Sequence, residues 1–528
     1  MQQQQKIVVK NPAVSELTAR VSAVKFNDDQ PINTQARTQI NSGKMVALPA
    51  SVDQFVDVSV LTNLQEIDIN DNSPSQRDVV VKVATTQGGL LDKQCMRAAL
   101  DLVCVIDISG SMIGFNPDGS RSADGKIDKV KRTLIRLLDL LTEADRVSLI
   151  TFNSKAKRLT PLLPLNAGNK TQLVSILNAI TPGGSTNIFE GLSLALSVLH
   201  SRREQNQVSS VFLLSDGCDK LSQDLLNKTF SNPKSFECFP NVSINTFGFG
   251  DDECSLMEMV ADRSGGMYYD IEDYGSECLE CFVECLGTLL SIIGGRATLK
   301  ISILPSVVYP EVAVCKVLSE NVEKLSEIEL EVDLKFLISG MARNTVFSIN
   351  LPPVKESLRK EWVGKEAQVV SATLSFQNLT NSEIMTLPSK HLALKLSGEP
   401  SKVQNEEVVN QILRAELFNF QKNQISLIEK GQLEEAKLQD QIFNKKHAEV
   451  LALKKNDKVM GMCYAQYANT QQYVQNYSAT PQTANYSQKR KLVSGAYSMK
   501  CEQSNRQNKG YRNAMQRNLF EDCELECD

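Results

Sequence analysis

The chain has 528 residues, 42% of them hydrophobic, and a formal net charge of -5 from 57 basic and 62 acidic side chains. That length implies three or four structural units, and so mild a balance excludes nucleic-acid or membrane attraction as a property of the whole chain. The start, MQQQQKIVVKN, has no apolar core of the kind a secretory signal needs. No stretch is long enough to span a bilayer, the best being LGTLLSIIGG. The 13 cysteines are odd in number and scattered, several in apolar runs as Cys104 is, which fits reduced thiols and a cytoplasmic location.

In chain order, residues 1–52 read as a flexible segment. Residues 53–97 hold two stretches, Asp57 to Asn63 and Asp78 to Thr86, that alternate apolar and polar side chains as half-buried antiparallel strands do.

Residues 98–295 follow another grammar. The apolar run Leu102 to Ile106 ends in Asp107, Ser109 and Ser111, within DLVCVIDISGSM. An acid and two hydroxyls on alternate positions then stand at the carboxyl end of a buried strand, where open α/β sheets bind their ligands. Such hard oxygen donors suit a divalent cation; the plain alternative is a polar strand-to-helix turn with Asp107 and Ser109 as caps. Thr186 follows Gly183 and Gly184, which allow a tight turn before an amphipathic helix, and Asp216 ends a second apolar run, VFLLSDG.

Around these positions the pattern alternates helix and strand. Helices are expected over Lys126 to Leu141, Leu173 to Ile180, Ile188 to Leu199, Leu256 to Asp262 and Ser276 to Ile293, and strands at RVSLITF, VSINTFGFG and MYYDI. This is the grammar of a doubly wound, mostly parallel α/β sheet, Rossmann-like in plan. The loop Ile113 to Gly125 is longer and more polar than a tight turn requires: it is either a solvated insertion or one whose Asp118 and Asp124 line the cleft. Cys278, Cys281 and Cys285 share a helix face, for which core packing competes with a zinc site; the histidines are only His200, His391 and His447.

The set Asp107, Ser109, Ser111, Thr186 and Asp216, in that order and context, resembles the metal-ion-dependent adhesion site (MIDAS) of von Willebrand factor type A (VWA) domains. The resemblance implies that Ser109, Ser111 and Thr186 coordinate Mg2+ through hydroxyls, with Mn2+ or Ca2+ as substitutes, while Asp107 and Asp216 balance charge largely through bridging waters. It leaves a sixth position for the carboxylate of a partner protein. Two carboxylates and three neutral hydroxyls leave a dication underneutralised, so it keeps Lewis acidity for an incoming anion.

Residues 296–400 add alternating stretches at Ala297 to Leu304, Ile328 to Ile338, Asn344 to Leu351 and Ala367 to Phe376. Strands on both sides of the VWA-like region suggest a β-sandwich-like unit into which that region is inserted. This arrangement is similar to inter-alpha-trypsin-inhibitor heavy chains and, more closely, to plant VWA proteins linked to RING ligases. Trp362 reads as a packing anchor there. Residues 401–457 read as a helical hairpin, with Val409, Leu413, Leu417, Phe420 and Ile428 on one stripe and Gly431 at the turn; a partner-binding coiled coil is the rival. Residues 458–528 read as a low-complexity disordered tail: YAQYANTQQYVQNYSATPQTANYSQ, a basic stretch from Lys489 to Arg517 and an acidic end, EDCELECD. A solvated tail is the plain reading and RNA contact the alternative.

The expected function is a non-enzymatic intracellular scaffold whose metal site captures an acidic residue of a partner protein. One alternative, from the plant resemblance, is an adaptor in a ubiquitin-ligase assembly without its own RING, since no cysteine and histidine pairs have RING spacing. The other is a metal-dependent hydrolase. Against it, no histidine or spare acid neighbours the five residues in sequence, and hydroxyl-rich ligation acidifies water poorly.

Overall fold

The structure is a computed structural model that describes residues 12–23, 25–38, 45–49, 52–86, 95–114, 120–122, 124–217, 219, 223–230, 239, 242–249, 255–271 and 276–454, with isolated positions from 465 to 523. Asp118 and most of the expected tail, including most of its tyrosine-bearing run and of its basic stretch, lie outside the described residues; of that run, Tyr467 is described and is buried against Phe420 and Phe443.

Continuous apolar runs form the middle of a seven-stranded sheet. Its order is Tyr268–Asp270, Val242–Gly248, Val208–Ser215, Leu100–Asp107, Arg146–Phe152 and Ala156–Arg158, with Leu163–Pro164 also on Arg146–Phe152. The first five strands are parallel, and the last two additions are antiparallel. Every residue of Leu100–Asp107 and Val208–Ser215 is buried, as strands covered on both faces require. One face carries the helices Lys126–Leu140, Ala167–Ala179 and Ser276–Leu290; the other carries Ile188–Ser201, Gln223–Phe230 and Ser255–Ser264. Cys278, Cys281 and Cys285 pack into the first of these cores. Among the described residues, no three His, Cys, Asp or Glu side chains are grouped to hold a metal.

Residues 12–23 and 25–38, which look loose in sequence, dock on this domain. The helix Pro12–Ala23 lies on Ile188–Ser201 and Gln223–Phe230 and buries Leu17 and Val21. Beyond it Asp28 and Asp29 pair with Arg158, whose guanidinium stands 4.1 Å from the Phe26 ring centre, and the Gln30 N–H donates to the Leu162 carbonyl.

Strands from before and after the domain pair directly. Ser75–Thr85 lies antiparallel to Ala342–Leu351, with Val80 opposite Val346, in a four-stranded sheet completed by Val56–Thr62 and Ala313–Val317. Glu66–Asp68 runs parallel to Lys390–Ser397 at the edge of a second sheet that holds Val322–Lys324, Glu329–Ile338, Ile292–Ile303, Glu366–Asn378 and Ile384–Thr386. The sequence expectation of a final helix reaching Ile293 needs correction: that helix stops at Leu290 and a strand begins at Ile292. Ile292 to Gly295 are buried on every side, so apolarity there has no period to mark the change, and Gly294 fits closely against Phe376 and Leu337.

Past the sandwich, Glu406–Glu429 and Leu433–Lys454 form a helical pair that turns at Gly431, whose φ of 73° suits glycine. Asn405 caps the first helix through the Glu407 and Val408 N–H groups. Leu413, Leu417, Phe420 and Ile428 are buried as the stripe requires, but Val408 rather than Val409 packs on Val80 and Val346 of the sandwich. Trp362 is half-buried against the main core. Among the described residues, no helix is long and apolar enough to cross a membrane.

Candidate metal centre

Asp107 is the last residue of the strand Leu100–Asp107 and is fully buried. Its Oδ1 accepts the Ser109 N–H at 2.7 Å and its Oδ2 accepts the Ser215 hydroxyl at 2.6 Å. Ser215 ends the adjacent parallel strand, in which Leu214 pairs with Ile106, so Asp216 emerges at the same sheet edge as Asp107. Gly217, with a φ of 86°, turns the chain away at once. Ser109 precedes the short turn Gly110–Met112 and makes no side-chain capping bond to it. Its hydroxyl instead stands 3.0 Å from that of Ser111.

Backbone contacts bring the Thr186 loop to this edge. The Gly183 N–H donates to the Ile108 carbonyl, the Gly110 N–H donates to the Gly184 carbonyl, and the Asn153 side-chain amide holds the Gly183 carbonyl. Gly184 has a φ of 96°, and an added Cβ would meet the Asn153 amide at 3.0 Å, so the turn needs glycine. Thr186 is buried just ahead of the helix Ile188–Ser201, which Asn187 caps through Glu190 and whose first N–H, at Ile188, is taken by Asp219.

The electrostatics follow from burial. Burial pushes the Asp107 carboxyl up to about 6, with a smaller upward push from the charge of Asp216; hydrogen bonds from Ser215 and Ser109 work in the opposite direction. Asp216 is equally enclosed: its Oδ2 lies 3.1 Å from the Lys126 ammonium, and its Oδ1 has no hydrogen-bond partner among the described residues. The sequence carries no signal for Lys126 beyond its place at the start of a helix, because the long loop before it hides any fixed spacing to the motif. Asp124 is exposed and paired with Arg132 and Lys129, the arrangement of a solvated loop residue.

The five residues therefore occupy neighbouring segments of one sheet edge. Two buried carboxylates end adjacent strands, only that of Asp216 is ion-paired among the described residues, one of its oxygens is left without a partner, and hydroxyls stand beside them. An all-oxygen donor set with a net deficit of positive charge fits a hard dication such as Mg2+.

Residues 101–283 match the family model for the von Willebrand factor type A domain. The E3 ubiquitin-protein ligase WAV3 of Arabidopsis thaliana is 31% identical over 214 residues, which cover 40% of this chain and 25% of that protein. Inter-alpha-trypsin inhibitor heavy chain H4 of Homo sapiens is 28% identical over 193 residues, covering 34% of this chain and 19% of that one. The chain thus spans a quarter or less of the length of these two relatives. The solved von Willebrand factor type A protein from Catenulispora acidiphila superposes with a TM-score of 0.55 at 15% identity over 78% of this chain and 89% of its own, a likeness of fold. Residues 101–283 form a von Willebrand factor type A domain, set in a chain that adds a split β-sandwich to it.

Proposed function

We propose that this chain is a non-enzymatic protein-interaction scaffold of the cytoplasm, whose VWA cleft holds Mg2+, or Mn2+ or Ca2+ in its place, and captures an acidic side chain of a partner protein. Ser109, Ser111 and Thr186 would hold the ion through their hydroxyls, with Asp107 and Asp216 balancing its charge. When bound, the ion supplies a Lewis-acidic positive centre for a carboxylate. The chain's own residues orient the donors: Ser215 and the Ser109 N–H fix both oxygens of Asp107, and the Gly183 and Gly184 contacts tie the Thr186 loop to the Ser109 turn.

The observation that carries this reading is the burial of Asp107 and Asp216 on adjacent strand ends with an unpartnered oxygen on Asp216. Neutral hydroxyls donate little charge, so the ion would keep the positive charge that draws a partner's carboxylate. The 31% identity to WAV3, itself named an E3 ubiquitin-protein ligase, favours a second reading in which the same cleft serves as an adaptor in a ubiquitin-ligase assembly.

The test is capture of partners by the immobilised full chain in Mg2+ and in chelator, with wild type and Thr186→Ala. Capture that needs Mg2+, is lost in the variant and is displaced by an acidic peptide supports the proposal. Capture that is the same in chelator sinks it. Ubiquitin-conjugating components among the Mg2+-dependent partners would favour the adaptor reading.

A further inference from the structure

Lys126 is the first residue of the helix Lys126–Leu140, where its charge meets the positive end of the helix dipole. Gly125, ahead of it, offers no capping side chain. A lysine there is compensated by Asp216: the ammonium lies 3.1 Å from Oδ2, and the carboxylate side chain is 1% exposed while that of the lysine is 28% exposed. Among the described residues, Lys126 is the cation ion-paired with either site carboxylate. The other oxygen of Asp216 has no partner, so Lys126 half-neutralises that carboxylate and does not saturate it.

We propose that Lys126 is a resident counter-charge that limits how tightly the cleft holds a divalent ion. This rests on the metal-site reading above. An ammonium fixed on one oxygen of Asp216 repels a dication arriving beside the other, and partial shielding from water strengthens that repulsion. The same ammonium steadies the buried Asp216 carboxylate when it faces no dication, so folding is not tied to metal loading. The result is an ion that exchanges readily, and a cleft whose occupancy follows the surrounding concentration of free Mg2+.

The experiment is calorimetric titration of Mg2+ into the full-length wild type, Lys126→Met and Lys126→Arg at mildly alkaline pH, with circular dichroism to verify folding. The Met variant is expected to bind about tenfold more tightly, the size of a repulsion between partly screened charges. The Arg variant keeps the charge and should stay near wild type. In chelator the Met variant should melt below the wild type and gain more in melting temperature on adding Mg2+. Lys126→Gln, which keeps a hydrogen-bond donor and removes the charge, carries the same expectation if the Met variant fails to fold. Wild type that binds Mg2+ while the uncharged variants bind equally or more weakly overturns the role of Lys126 and leaves the metal site standing. Binding in none of the variants overturns both.

Discussion

The Ser215 hydroxyl donates to Oδ2 of Asp107 at 2.6 Å, so the end of one strand holds the carboxylate at the end of its neighbour. Ser215→Ala removes a donor from a buried charge and is expected to cost about 1–3 kcal/mol of stability at pH values where Asp107 is ionised. The loss should shrink in acid, where the protonated carboxyl needs that donor less. Urea unfolding of wild type and variant on both sides of the Asp107 transition measures this, and an equal loss at both would contradict it.

Magnesium binding should itself depend on pH. Without an ion, burial and the charge of Asp216 raise the Asp107 carboxyl from 3.8 to about 6, so the folded chain holds this proton more tightly than the unfolded chain does. By itself the group stabilises the fold most below 3.8, and that contribution is lost as pH rises through about 6. An arriving ion must displace the proton in the same window. Affinity is expected to be level above about pH 7 and to fall by up to tenfold per unit below the transition. Calorimetry across that range should show the bend; a flat profile would remove Asp107 from the site.

The helical pair should loosen in acid for the opposite reason. Burial opposes ionisation of Glu416, yet hydrogen bonds from His447, Lys446 and Lys316 outweigh it and hold the carboxyl well below its ordinary 4.5. Lys316 belongs to the sandwich and His447 to the second helix, so Glu416 joins three elements. Its contribution is present above 4.5 and lost as pH falls below that value. Glu416→Gln should cost about 1–3 kcal/mol near neutral pH and blunt the acid sensitivity. Hydrogen exchange in Glu406–Glu429 provides the measurement.

The N-terminal helix should be felt at the cleft. Leu17 is 1% exposed against the Ile188–Ser201 face, and Arg20 pairs with Glu190 in the first turn of that helix, close behind Thr186. Leu17→Ala is expected to cost about 2–5 kcal/mol, and removal of residues 1–38 to speed amide exchange in Ile188–Ser201. Unchanged exchange there would show that the helix is a passenger.

Much of this was legible in the sequence because strand ends have a simple grammar. Asp107 follows an unbroken apolar run, Asp216 follows another with only Ser215 between, and Gly183 and Gly184 announce the turn before Thr186, so the segments that meet at this sheet edge could be marked without any tertiary contact in view. Lys126 could not, since its approach to Asp216 depends on how a loop of unknown path seats a helix. Nor could the docked helix Pro12–Ala23, whose buried face is short and whose partner surface is made by residues far along the chain. The change from helix to strand at Ile292 was hidden by uniform burial, and the pairing of Glu66–Asp68 with Lys390–Ser397 joins segments too distant for local pattern to connect.

The final helix of the VWA domain passes into the sandwich strand Ile292–Ile303 across Ser291 alone, and side chains from both sides share one core. Such a joint has no hinge. A ligand caught at the cleft would therefore be held at a set angle to the sandwich and its helical pair, an angle built into the covalent path of the chain.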